Sequence, residues 1–177
     1  ILHHILIHTD HAQTFIQFKN HEEDCMLAIG DNIPSFNIKT DTGNFQVTQH
    51  DGKKMVIFFF PRANTSSCTK VSLQFSELSD KFAGAGVEVI GISKDTPQKQ
   101  RKFRAKYGLK CHLGSDHETD VCEKFGVWVK KSMYGKTYMG IQRATFVVDT
   151  DGKIAAIWQK VKVDGHGAEV LDFVKNL

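Results

Sequence analysis

An α/β sandwich with a central mixed sheet is the fold class the sequence predicts, and three observations predict it. Met55 to Phe60 is a continuous apolar run of strand length, the pattern of a strand covered on both faces. Val87-Glu88-Val89-Ile90-Gly91-Ile92 is a second such run, and between the two Val71, Phe75, Leu78 and Phe82 recur at helical spacing. Thr42-Gly43 and Asp151-Gly152 are turn signals flanked by alternating or apolar stretches, which adds hairpins to the strand-helix alternation. A chain of 177 residues with 41% hydrophobic content buries one core of ordinary size, so a single domain suffices.

The first 25 residues differ from the rest. They hold five of the nine histidines and carry a net charge of −3, against +6 for the remainder. Lacking a basic start, an apolar centre and a small-residue cleavage site, they do not read as a signal peptide. Residues 1–25 are therefore expected to be an extension, either packed on the domain through Ile5, Ile7, Phe15, Ile16 and Phe18 or disordered, with the domain spanning 26–177. No second ligand cluster accompanies His3, His4, His8 and His11, so no metal is assigned.

Within the domain, Asp31 to Pro34 opens the pattern, and Phe36-Asn37-Ile38 and Phe45-Gln46-Val47-Thr48 alternate around Thr42-Gly43 as an N-terminal hairpin. Asp51-Gly52 turns into the first buried strand. Gly84 and Gly86 mark the end of the helix that follows it. Thr96-Pro97 gives an N-cap and a first-turn proline, which predicts a helix running to about Tyr107. The basic run Lys99 to Lys106 on that helix reads as a solvated face. Cys111 and Leu113 share a face of a short extended segment, and Val121, Cys122 and Phe125 one side of a short helix, so both cysteines read as small buried apolar residues. Gly126 to Gly140 reads as loop-rich; Ala144–Val148 and Ile154–Trp158 form a second hairpin, and Val170, Leu171 and Val174 a terminal amphipathic helix.

Charge and composition exclude several function classes. A formal charge of +3 gives little reason to invoke nucleic acid or a membrane surface, and no apolar run reaches membrane-span length. Cys25, Cys68, Cys111 and Cys122 are widely spaced without a C-x-x-C pair, which argues for a reducing, cytoplasmic setting and against structural disulfides or zinc.

Cys68 has a chemical address. It follows Pro61-Arg62-Ala63-Asn64-Thr65-Ser66-Ser67 at the turn from buried strand to helix, where first-turn amides stabilise a thiolate. A thiolate attacking a peroxide needs donors for both oxygens. Thr65 Oγ and the amides of Ser67 and Cys68 are candidates, with Phe60, Ser66 and Ser67 lining the pocket. Pro61 would keep the loop free of a competing N–H and shield the sulfur. Arg143, just before a strand expected beside Met55–Phe60, would bring the guanidinium. By residue type alone this reaches a reactive thiol and leaves the substrate open; a buried inert cysteine is the competing reading.

Pro61-x-x-x-Thr65-x-x-Cys68 resembles the signature of peroxiredoxins, and the likeness continues. Gly30-Asp31-x-x-Pro34-x-Phe36, Val89-Ile90-Gly91-Ile92-Ser93-x-Asp95, Ser115-Asp116, Phe125-Gly126-Val127-Trp128, Tyr134-Gly135-Lys136-x-Tyr138-x-Gly140, Arg143-x-Thr145-Phe146 and Asp151-Gly152-Lys153-Ile154 resemble the bacterioferritin comigratory protein, or peroxiredoxin Q, subfamily. The resemblance covers Ala28 to the C-terminus. It implies a thioredoxin-like fold, with Cys68 as peroxidatic cysteine assisted by Pro61, Thr65 and Arg143. It further implies reduction of hydrogen peroxide and organic hydroperoxides by a thiol donor such as thioredoxin, glutaredoxin or glutathione. No cofactor or metal is implied, and the expected assembly is a monomer or weak dimer.

The sequence departs from that pattern in two places. Thr65-Ser66-Ser67-Cys68 stands where the subfamily usually has Thr-Pro-Gly-Cys, and Leu73 occupies the position of the resolving cysteine many members carry. A one-cysteine mechanism with an external thiol is the expectation; resolution by Cys111 or Cys122, or by Cys25 from the extension, is the alternative, and requires Cα atoms within about 7 Å of one another. A thioredoxin-like disulfide oxidoreductase would need a second cysteine where Thr65 stands. A redox sensor or chaperone-like protein switched by Cys68 oxidation is the non-enzymatic reading.

Overall fold

The computed structural model describes residues 26–48 and 52–177. The extension, its histidines, Cys25 and Asp51 lie outside the described residues. In chain order the elements are β1 (Phe36–Thr40), β2 (Gly43–Val47), β3 (Lys54–Phe59), α1 (Ser66–Glu77), α2 (Ser79–Gly84), β4 (Val87–Ser93), α3 (Pro97–Tyr107), β5 (His112–Ser115), α4 (Val121–Lys124), β6 (Trp128–Met133), β7 (Lys136–Ile141), β8 (Ala144–Val148), β9 (Ile154–Gln159) and α5 (His166–Lys175). Seven strands form one mixed sheet in the order β2-β1-β5-β4-β3-β8-β9. The parallel pairs are β3–β4 and β4–β5; β8 runs antiparallel to β3, and hairpins close both margins.

The apolar run at 55–60 is apolar throughout because both faces of β3 are covered. Side chains alternate across a strand, so Val56, Phe58 and Phe60 enter one layer with Phe75, Phe82 and Phe103. Ile57 and Phe59 enter the other, with Phe36, Phe125 and Phe146. Phe58 stacks on Phe75 with ring centroids 4.5 Å apart, and its register partner across the sheet is Gly91. A Cβ at Gly91 would lie 2.4 Å from the Phe58 ring, so this strand glycine is needed for space.

Two sequence expectations need correction. The helical stretch after Cys68 divides at Leu78, whose φ of −90° and ψ of 5° end α1 and begin α2. Gly126 to Gly140 is not loop-rich: β6 and β7 pair along their whole lengths as a separate two-stranded ribbon. The turn between them is Tyr134-Gly135, with φ of 52° and 75°, the left-handed pair that suits the right-handed twist of a hairpin. These strands escape notice because Lys130, Ser132, Met133, Lys136, Thr137 and Tyr138 are exposed and carry no core-facing alternation.

Candidate active site

Cys68 is the third residue of α1. Thr65 caps the helix from an extended conformation (φ −88°, ψ 157°), and the first intrahelical bond runs from the Thr69 amide to the Thr65 carbonyl at 2.9 Å. The amides of Ser66, Ser67 and Cys68 therefore precede the helical ladder and face the loop as first-turn donors. Thr65 makes no side-chain cap; its Oγ1 donates to the Arg62 carbonyl at 3.1 Å. Cys68 itself is only 1% exposed.

The guanidinium arrives from across the sheet. Arg143 immediately precedes β8, whose Ala144 pairs with Phe59 of β3, so the arginine emerges beside the end of the strand that leads into the Cys68 loop. Its Nη2 donates to Cys68 Sγ at 3.3 Å. Nη1 is buried with no hydrogen-bond partner among the described residues. A second donor is thus available next to the sulfur.

The other expected residues sit around this pair. Pro61 and Thr65 line a groove of about 710 Å³ together with Trp128, Lys131, Tyr138 and Met139 of the ribbon. Ser66 and Ser67 are exposed at the helix start. Phe60 is fully buried between Phe58 and Phe103, at 5.9 and 6.0 Å between ring centroids, so it supports the loop from the core side.

What fixes the loop was missed in the sequence. The Asp95 carboxylate accepts from the Ala63 amide and from Ser93 Oγ, both at 2.7 Å, and Gln100 Nε2 donates to Ser93 Oγ at 2.9 Å and to the Gly114 carbonyl at 3.0 Å. Asn64 takes a positive φ of 64°, and its Oδ1 accepts from Tyr107 OH at 2.9 Å and Lys106 Nζ at 3.1 Å. Hence the loop is held by Asp95, just after β4, and by side chains of α3, with the Gly114 carbonyl of β5 anchoring Gln100. Only the Ser93-x-Asp95 pair left a trace in the sequence, as part of the wider resemblance.

The remaining described cysteines are placed differently. Cys122 is fully buried in the layer on the opposite face of the sheet from Cys68; burial, the nearby Asp116 charge and its bond to Asp116 all push its thiol up. Cys111 shares the layer of Cys68, and burial pushes its thiol up to about 12 against the opposing pull of Arg104. The Lys110 amide next to it bonds Ser76 Oγ at 2.7 Å. Ser76 lies eight residues beyond Cys68 on α1, about 12 Å along the axis at a rise of 1.5 Å per residue. Leu73 is half-buried against this layer. Among the described residues no cluster of three or more His, Cys, Asp or Glu side chains is placed to hold a metal ion, and no helix is long and apolar enough to cross a membrane.

Known proteins share the family and the fold. A family model described as the AhpC/TSA family matches residues 29–157. The chain is 42% identical over 146 residues to a putative peroxiredoxin bcp of Coxiella burnetii, covering 82% of this chain and 97% of that one. It is 39% identical over 150 residues to peroxiredoxin Bcp of Escherichia coli, covering 84% and 96%. Among solved structures, the bacterioferritin comigratory protein of Xanthomonas campestris, studied for alkyl peroxide reduction, superposes with a TM-score of 0.75 at 34% identity, covering 82% of this chain and 98% of that one. A cysteine-to-serine variant of Xylella fastidiosa peroxiredoxin Q gives a TM-score of 0.80 at 29% identity, covering 86% and 98%.

Proposed function

This chain belongs to the AhpC/TSA family and is a thiol-dependent peroxidase of the peroxiredoxin Bcp kind; from that premise we propose that Cys68 is its peroxidatic cysteine, turned over by an external thiol. The observation that carries the assignment is the Arg143 Nη2 to Cys68 Sγ contact of 3.3 Å at the first turn of α1. A positive charge and the helix N-terminus together favour the thiolate, the form that attacks.

The thiolate attacks the distal oxygen of ROOH. An S–O bond forms as the O–O bond breaks, leaving Cys68 as sulfenic acid and releasing RO⁻, which takes up a proton as ROH. Negative charge moves from sulfur to the departing oxygen, so donors fixed around the peroxide lower the barrier more than donors fixed to the resting thiol. Arg143, with one nitrogen on the sulfur and the other unpartnered, serves both ends of that movement. Pro61 and Thr65, which line the groove, hold the peroxide in line.

Recovery goes through a second molecule. An incoming thiol R′SH displaces water from the sulfenic acid to give a mixed disulfide, and another R′SH releases Cys68 with R′SSR′. Thioredoxin, glutaredoxin and glutathione are the candidate donors. The placement of Cys122 across the sheet, of Cys111 toward the far end of α1 and of Leu73 at the position five residues after Cys68 supports this route.

Cys68→Ser should abolish thiol-dependent consumption of peroxide in a coupled assay; retained activity would sink the assignment. One equivalent of peroxide should give a dimedone-trappable sulfenic acid with unchanged free thiol at Cys111 and Cys122, read by intact and peptide mass. An internal disulfide from Cys68 would overturn the one-cysteine route and leave the peroxidase assignment standing.

A further inference from the structure

One charged side chain at the groove has no role in the mechanism above. Lys131 stands on β6, in the ribbon, and its Nζ donates to the carbonyl of Ile141, the last residue of β7 and two residues before Arg143. Its aliphatic stem is seated. An added Cβ at Gly140 would lie 3.2 Å from Lys131 Cδ and 3.5 Å from Cε, so the stem lies across the bare Cα of Gly140. Gly140 has no left-handed φ; the glycine supplies room for the lysine stem and for the edge of the Tyr138 ring, which a Cβ would meet at 3.3 Å.

The strand end held by Lys131 is the one that delivers the guanidinium. Gln142 is fixed at the same place, its amide bonded to the Val127 carbonyl at 2.7 Å, so the approach to Arg143 is tied to the start of β6 on one side and to Lys131 on the other. Lys131 also forms part of the groove wall with Pro61 and Thr65. We propose that Lys131 is a positioning residue of the thiol site: seated across Gly140, it fixes the strand end that presents Arg143 and adds a second positive charge to the groove beside Pro61 and Thr65.

Electrostatics agrees with that placement. Burial pushes the Lys131 ammonium below its ordinary range, the Arg143 charge pushes the same way, and Cys68 opposes both. Coupling of charge is reciprocal, so the ammonium that the Cys68 thiolate stabilises stabilises the thiolate in turn. Across the groove stand Arg62, Lys94, Asp95 and Lys99. Asp95 spends its carboxylate on the Ala63 amide and Ser93 Oγ, and Lys94 is paired with Glu123 and Asp116 and lies over the Trp128 ring.

The proposal rests on the peroxidase reading of Cys68, and its test separates the two. Alkylation of Cys68 by iodoacetamide, followed by peptide mass across pH, reports the thiolate without any peroxide. Lys131→Met should move that alkylation profile to higher pH and slow sulfenic acid formation by about fivefold or more, the worth of one nearby charge of about 1 kcal/mol. Lys131→Arg should restore both. Gly140→Ala, whose methyl would meet the Lys131 stem at 3.2 Å and the exposed Tyr138 ring at 3.3 Å, should shift the profile in the same direction and add nothing in the Lys131→Met background. An unmoved profile in Lys131→Met, or effects of Gly140→Ala and Lys131→Met that simply add, would overturn the proposal. A shifted alkylation profile in an enzyme that consumes no peroxide would leave Lys131 in place and remove the peroxidase reading.

Discussion

At the scale of single residues, the site depends on one long-range contact. Cys68 and Arg143 are 75 positions apart and meet because β8 lies against β3. Arg143→Ala removes the donor on the sulfur and the unpartnered nitrogen beside it. The peroxide step should slow by about 10²- to 10³-fold, the usual effect of losing one donor to a developing anion, while circular dichroism and thermal melting stay close to the parent. Stopped-flow measurement of sulfenic acid formation gives the number. Lysine at the same position keeps the charge and loses the fork, so Arg143→Lys should recover part of the rate only. The sequence exposed this pair because the chemistry of a peroxide demands a cation and the strand order expected for the sheet brings Arg143 to the right edge. Lys131 left no such trace. Its place is set by a glycine slot on the neighbouring strand, and nothing in local spacing marks a lysine stem that crosses a bare Cα.

At the scale of elements, the reactive loop is held by a buried polar network from β4, α3 and β5. Asp95→Ala would leave the Ala63 amide and Ser93 Oγ without their acceptor, at a cost of about 1–3 kcal/mol in a denaturation midpoint. The loop would lose order as well, so activity should fall further than stability alone explains. Space is an equally strict requirement within the sheet. Gly91→Ala would drive a methyl into the Phe58 ring, itself stacked on Phe75, and overpacking of that kind costs about 1–3 kcal/mol. A lowered melting temperature with a normal thiol alkylation profile is the expected outcome. The buried strands and both sheet-margin hairpins were legible because covered strands are uniformly apolar and turn chemistry is local. The β6–β7 ribbon was illegible for the converse reason: its strands pair with each other away from the main sheet and expose most of their side chains.

At the scale of the whole molecule, stability responds to acid through a buried histidine. His166 at the start of α5 is 1% exposed; its Nε2 meets Thr145 Oγ1 at 2.8 Å and its ring lies edge-on to Phe75 and Trp158. Burial pushes the imidazole down to about 4 from an ordinary 6.5, with Arg143 acting in the same direction against Glu169. The unfolded chain therefore binds the proton first. Stability contributed by the neutral ring is complete above about pH 6.5 and is lost as pH falls through about 4. Urea midpoints should decline between those values, and a His166→Gln variant should show a shallower decline; an equal slope would remove His166 as the origin.

The sheet between Cys68 and Cys122 also sets the timing of the molecule. It stands as a bulkhead between these two sulfurs, which lie in layers on its opposite faces. On the one-cysteine route, the interval for which an oxidised chain stays oxidised is therefore decided outside it, in inverse proportion to the donor thiol around it. Each chain then holds a record of one encounter with peroxide, and the surrounding thiol pool determines how soon that record is erased.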